Sequence, residues 1–137
     1  MFKTMLIEDN PIYRNLYRDS LKVQFLSMEI LEAEDAAEAM RKIAAFHPDL
    51  VFMDIRLSGD NGLELTKRIK ADYPDVIIAI LTNYDFQEYR EAAAQNGADY
   101  FLVKSSITSE EIFAFVRKIL LEKGFHVNGS GPTKATA

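Results

Sequence analysis

Five short apolar runs alternate along the chain with longer segments in which apolar residues return at helical spacing. The runs are Thr4–Ile7, Glu29–Ala33, Leu50–Met53, Val76–Leu81 and Asp99–Val103. Such nearly continuous apolarity suits strands covered on both faces, as in a parallel sheet with helices above and below. The segments between them carry helix end signals. Pro11 follows Asn10, where a first-turn proline needs no amide hydrogen. Thr108 with Glu111 forms the capping pattern that opens the last helix, and Asn96-Gly97 and Lys123-Gly124 read as helix C-termini. Phe46-His47-Pro48-Asp49 and Asp72-Tyr73-Pro74-Asp75 repeat one device, a proline that stops a helix just before a strand.

Five strand-helix units predict the α/β class: an open, doubly wound, five-stranded parallel sheet of order 2-1-3-4-5 with five helices on two faces. Ligands of such sheets bind beyond the carboxyl ends of the strands, where the strand order reverses. Composition narrows the function. At 137 residues the chain has room for one ordinary domain, predicted over 1–123, and one site. From residue 124 the sequence GFHVNGSGPTKATA has no apolar period and reads as a flexible tail or a truncated linker to an output domain. The net charge of -5, with no basic block, argues against direct nucleic-acid binding by this domain. The longest apolar run, Val76–Leu81, is far below the roughly 20 residues needed to cross a bilayer. No secretory signal opens at Met1, so a cytoplasmic location is expected. There are no cysteines, hence no disulfide or thiolate metal site.

The residues just past each strand carry the candidate chemistry. Glu8 and Asp9 follow the first, Asp54 the third, Thr82 the fourth and Lys104 the fifth. The predicted order sets the first and third strands side by side, so three carboxylates converge. Two carboxylates about 4 Å apart repel by ~4 kcal/mol at an effective dielectric near 20, which calls for a cation. A hard divalent ion with oxygen ligands, Mg²⁺ foremost, answers that need. A carboxylate nucleophile, a metal, a cationic lysine and a hydroxyl donor suit phosphoryl transfer to Asp54, a reaction that mainly needs charge neutralisation and positioning.

In order and spacing, Glu8-Asp9, the strand VFMD ending in Asp54, Gly62 with Leu63 and Leu65, Thr82, Gly97-Ala98, Phe101 and Lys104 resemble the receiver domains of two-component response regulators, from about Lys3 to Lys123. The resemblance implies the flavodoxin-like fold, Asp54 as phospho-acceptor, and Mg²⁺ held by Asp9 and Asp54, by the backbone carbonyl of Arg56 and, through water, by Glu8. It implies that Thr82 and Lys104 bond the phosphoryl group and that Phe101 turns inward as Thr82 moves. The donor would be a sensor histidine kinase or a phosphotransfer protein. The readout would be a changed face from about Asp85 to Lys123, acting on an output domain, a partner protein or a homodimer. Self-catalysed phosphorylation and dephosphorylation would be the only reactions catalysed.

Two positions depart from the family pattern: Ser105 stands where a proline commonly follows the lysine, and Ser58 replaces the proline usual four residues after the acceptor. Arg56, Asn83 and Tyr84 are expected to border the path of hydrolytic water and to set the lifetime of the phosphoryl group. Rival readings are weaker. A haloacid-dehalogenase-like phosphatase places an acid two residues after its nucleophile, where this chain has Arg56. A flavodoxin needs amides and hydroxyls after the first strand, where Glu8-Asp9 would repel the flavin phosphate. A degenerate receiver acting only as a scaffold would not need the full residue set. His47 and His126 have no catalytic partners in the sequence pattern.

Overall fold

The computed structural model describes residues 1–125. Strands β1 (Lys3–Ile7), β2 (Glu29–Ala33), β3 (Leu50–Met53), β4 (Ile77–Thr82) and β5 (Tyr100–Val103) form one parallel sheet in the order β2-β1-β3-β4-β5. Helices α1 (Pro11–Gln24), α2 (Ala36–Phe46), α3 (Gly62–Asp72), α4 (Gln87–Gln95) and α5 (Ser109–Glu122) connect the strands. This is the doubly wound, flavodoxin-like α/β fold expected.

Alternation along the central strands divides the core in two. Met5, Ile7, Val51, Met53, Ile78 and Ile80 face Ala39 and Ile43 of α2, Leu65 and Ile69 of α3, and Ala93 of α4. Leu6, Leu50, Phe52, Ala79 and Leu81 face Leu21 of α1 and Val116, Ile119 and Leu120 of α5. Both faces of β3 are therefore buried, which accounts for its uninterrupted apolar sequence. A slip of one residue would exchange the two faces of every strand, so this packing fixes the register that sets the strand ends level.

Local chemistry closes the helices. Asn10, Asp35, Asn61 and Thr108 each accept a first-turn amide hydrogen bond, and Glu111 returns a bond to the Thr108 amide. The N-cap of α4, Phe86, offers no such bond, and α4 buries only Ala93. After α5, Gly124 takes φ 85° and its amide donates to Leu121 O, while that of Phe125 donates to Leu120 O at 2.8 Å. This left-handed glycine cap lets the Phe125 ring meet Phe2 edge-on at 5.2 Å. The terminal structure thus reaches two residues past Lys123, and residues 126–137 of the expected tail, His126 among them, lie outside the described residues.

Three details differ from the expectation. β4 starts at Ile77 and includes Thr82, and β5 starts at Tyr100, just after Asp99, whose side chain accepts from the Ile78 amide and Lys70. An antiparallel ladder pairs Arg56–Leu57 with Asp60–Asn61 around Gly59, whose φ of 72° favours glycine. Among the described residues there is no cis peptide bond, so Lys104–Ser105 is trans, and no helix is long and apolar enough to cross a membrane.

Candidate functional site

Parallel pairing brings the site together. Ile7 is in register with Met53, and the Asp54 amide donates to Ile7 O, so Glu8 and Asp54 leave adjacent strands side by side. Thr82 is in register with Val103, and the Lys104 amide donates to Thr82 O, which carries Lys104 to the same edge. The result is a cleft of about 420 Å³ at the carboxyl end of the sheet.

Gly62 packs directly against the Asp54 backbone. Its amide donates to Ile55 O at 2.7 Å, and a Cβ built on it would lie 1.9 Å from the carbonyl oxygen of Asp54. Any larger residue would displace the loop that carries Asp54, so the glycine is a steric requirement of the Asp54 backbone. Asp54 Oδ1 accepts from the Ile55 amide at 2.7 Å, which orients the carboxylate. Asp9 Oδ2 accepts from the Ser58 hydroxyl at 3.2 Å, a bond that the usual proline could not supply.

Glu8, Asp9 and Asp54 each offer a carboxylate oxygen within 4.8 Å of the other two. Facing them, the Lys104 ammonium donates to Asp54 Oδ2 at 2.9 Å and to Glu8 Oε1. The Lys104 side chain is 4% exposed, and a lone ammonium so buried would cost several kcal/mol. Burial pulls the Lys104 pKa down, but the hydrogen bonds it donates to Glu8 and Asp54 outweigh this and the net direction is up. Glu8 moves from its ordinary 4.5 to about 7: burial raises it most, the Lys104 bond opposes this, and the Asp54 charge adds to the rise. Lys104 stays charged between the Glu8 and Asp54 carboxylates, and Glu8 is the acid pushed toward holding a proton. One ammonium does not neutralise three carboxylates, and the all-oxygen donor set fits a hard divalent cation such as Mg²⁺.

Arg56, Asn83 and Tyr84 also line the cleft, and the Arg56 guanidinium lies 4.7 Å from the Tyr84 ring centroid, closing part of the mouth. Thr82 is fully buried beside it, its hydroxyl accepting from the Tyr84 amide at 3.2 Å. Phe101 lies apart from the cleft, half-buried on β5, with Arg90 4.6 Å above its ring. Sequence reasoning missed Tyr13, whose ring is 4.1 Å from Lys104 Nζ. Its spacing of four residues from Asp9 was the available signal, since one helical turn returns a side chain toward the strand end.

Residues 4–117 match the family model described as the response regulator receiver domain. The chain is 32% identical over 119 residues to the oxygen regulatory protein NreC of Staphylococcus carnosus, covering 85% of this chain and 54% of that protein. It therefore spans about half the length of the curated relatives it matches. A solved two-component response regulator of the LuxR family from Aurantimonas is 29% identical, with a TM-score of 0.79 over 92% of this chain and 89% of that one. A CheY-like receiver from Methanospirillum hungatei shares the fold, with a TM-score of 0.82 at 21% identity over 90% of this chain and 96% of that one. Since the matched segment contains nearly all of the sheet and every strand-end residue of the cleft, the chain belongs to the response regulator receiver domain family.

Proposed function

We propose that the chain is a phospho-accepting switch in which Asp54 takes a phosphoryl group from a phosphohistidine on a sensor histidine kinase or a phosphotransfer protein. The observation that carries this reading is Asp54 itself: 7% exposed, fixed by the Ile55 amide, and faced at 2.9 Å by Lys104 in a three-carboxylate cleft. An Asp54 carboxylate oxygen attacks phosphorus, forming the O–P bond as the P–N bond breaks and the electron pair leaves on the imidazole. Lys104 balances the charge that gathers on the phosphoryl oxygens. Asp9, Asp54 and the Arg56 carbonyl would hold Mg²⁺ directly and Glu8 through water. Bound there, the ion would neutralise phosphoryl charge. The chain promotes only its own phosphorylation and dephosphorylation.

The Thr82 hydroxyl then exchanges the Tyr84 amide for a phosphoryl oxygen, and Phe101 turns into the vacated space. This change remodels the surface of α4, β5 and α5, which controls an output domain, a partner or a homodimer. The receiver domain, expected over 1–123, packs as far as Phe125, and the residues beyond it would be a tail or a linker to such an output domain; the second half of the relatives leaves room for one. Any DNA contact belongs to that domain, because the sequence here carries a net charge of -5. Mass spectrometry after incubation with Mg²⁺ and acetyl phosphate tests the assignment. One phosphoryl adduct is expected, absent in Asp54→Asn, and undiminished labelling of that variant would sink it.

A further inference from the structure

We propose that Tyr13 is a positioning residue for phosphoryl transfer, its ring face holding the Lys104 ammonium at the cleft while that ammonium exchanges carboxylate partners for phosphoryl oxygens. The inference rests on the phospho-acceptor reading of Asp54 and adds a group to it.

Tyr13 sits in the first turn of α1 and lines the cleft. Three contacts fix its ring. Lys104 Nζ lies 4.1 Å from the centroid, the Tyr13 hydroxyl accepts from Asn83 Nδ2 at 3.4 Å, and the Tyr17 ring stacks with it at 6.2 Å and 14°. The side chain thereby bridges α1 and the loop after β4, which border the cleft on different sides.

An ammonium has three N–H donors, and Lys104 directs two of them to Glu8 and Asp54. The ring face supplies the remaining attraction, drawn from the negative potential above an aromatic plane. The two kinds of contact differ in what they tolerate. A charge-assisted hydrogen bond is short and directional and is lost when the ammonium swings away. Attraction to a ring face is broad, so it persists as the ammonium swings. When Asp54 becomes bonded to phosphorus, one of its oxygens no longer serves as a carboxylate partner, and Lys104 must turn to the incoming oxygens. Tyr13 keeps the ammonium at the mouth during that exchange. Without the ring, Glu8 is the remaining strong partner and draws Lys104 deeper, away from the phosphoryl group.

The full chain is phosphorylated at saturating acetyl phosphate and Mg²⁺, and the maximal rate is followed by mass spectrometry. Tyr13→Leu is expected to lower that rate about fivefold, the equivalent of a partly desolvated cation–π contact. Tyr13→Phe should restore most of the loss, because it keeps the ring and removes only the hydroxyl that meets Asn83. A series of ring-fluorinated phenylalanines at position 13 keeps the shape while draining the negative face, so the rate should fall stepwise with fluorination. A purely structural ring would show no such trend. A flat series, or a Tyr13→Phe variant as slow as Tyr13→Leu, would overturn the role given to Tyr13. An unlabelled parent protein would instead overturn the phospho-acceptor reading of Asp54 beneath it.

Discussion

We expect Arg56 and Tyr84 to set how long a phosphoryl group on Asp54 would last. Their cation–π contact at 4.7 Å spans part of the opening, and Asn83 borders the same gap. In-line attack by water is expected to pass between these side chains. Neither a guanidinium nor a phenol placed this way orients that water as an acid or amide would, so hydrolysis should be slow. Arg56→Asn with Tyr84→Glu opens the gap and supplies groups that position water. The phosphorylated double variant should lose its label several-fold faster than the parent after donor removal. Equal or slower decay would refute the shielding. Asp54, Glu8, Asp9 and Lys104 were legible in the sequence because a strand end is a one-dimensional landmark: the residue after the last apolar position stands at the site. The aim of Tyr13 was not, since it depends on the angle at which Asn10 and Pro11 start α1. Gly62 was visible as a motif member, but its reason, a 1.9 Å approach to the Asp54 carbonyl, exists only in three dimensions.

At the scale of elements, α4 is the one described helix whose N-terminus has no side-chain hydrogen bond. It lacks a side-chain cap and buries only Ala93, so its cost of shifting is low. Its position is biased instead by Arg90, which pairs with Asp85 at 2.6 Å and covers the Phe101 ring at 4.6 Å. On the proposed switch, that cover would favour the ring position seen here over one turned toward Thr82. Removing it in Arg90→Ala should raise the population of the inward ring by roughly twofold to fivefold, the range of an exposed cation–π contact. Amide NMR shifts along β5 and α4 would then move toward those of the phosphorylated protein without donor. Shifts confined to residue 90 and its neighbours would count against the coupling. The strands were legible from their apolar runs because both faces of the sheet are covered. The 56–61 hairpin was not, for a two-residue ladder has no period to read, and Gly59 alone marks its turn.

For the whole molecule, the sheet gathers more carboxylate than one lysine balances, and stability should record this. Glu8 has a folded pKa of about 7 against an ordinary 4.5, so between those values the folded state holds more protons than the unfolded one. The stability this gives is fully present below pH 4.5 and is lost as pH rises through about 7, amounting to roughly 1–3 kcal/mol. Urea unfolding without Mg²⁺ should show that fall, Glu8→Gln should flatten it, and added Mg²⁺ should reduce it by favouring the ionised carboxylate. A parent stability unchanged between pH 5 and 8 would contradict the charge assignment. The doubly wound class was legible from five strand-helix units and the strand order from the receiver-like residues, whereas the charge balance needed the distances. The central claim is that Asp54 carries the phosphoryl group, and reduction of the acetyl-phosphate-treated protein with borohydride tests it most directly. An aspartyl phosphate reduces to homoserine, so peptide sequencing should find homoserine at position 54 alone; homoserine at Asp9, or a stable phosphoryl group on a hydroxyl residue with position 54 unchanged, would contradict the account.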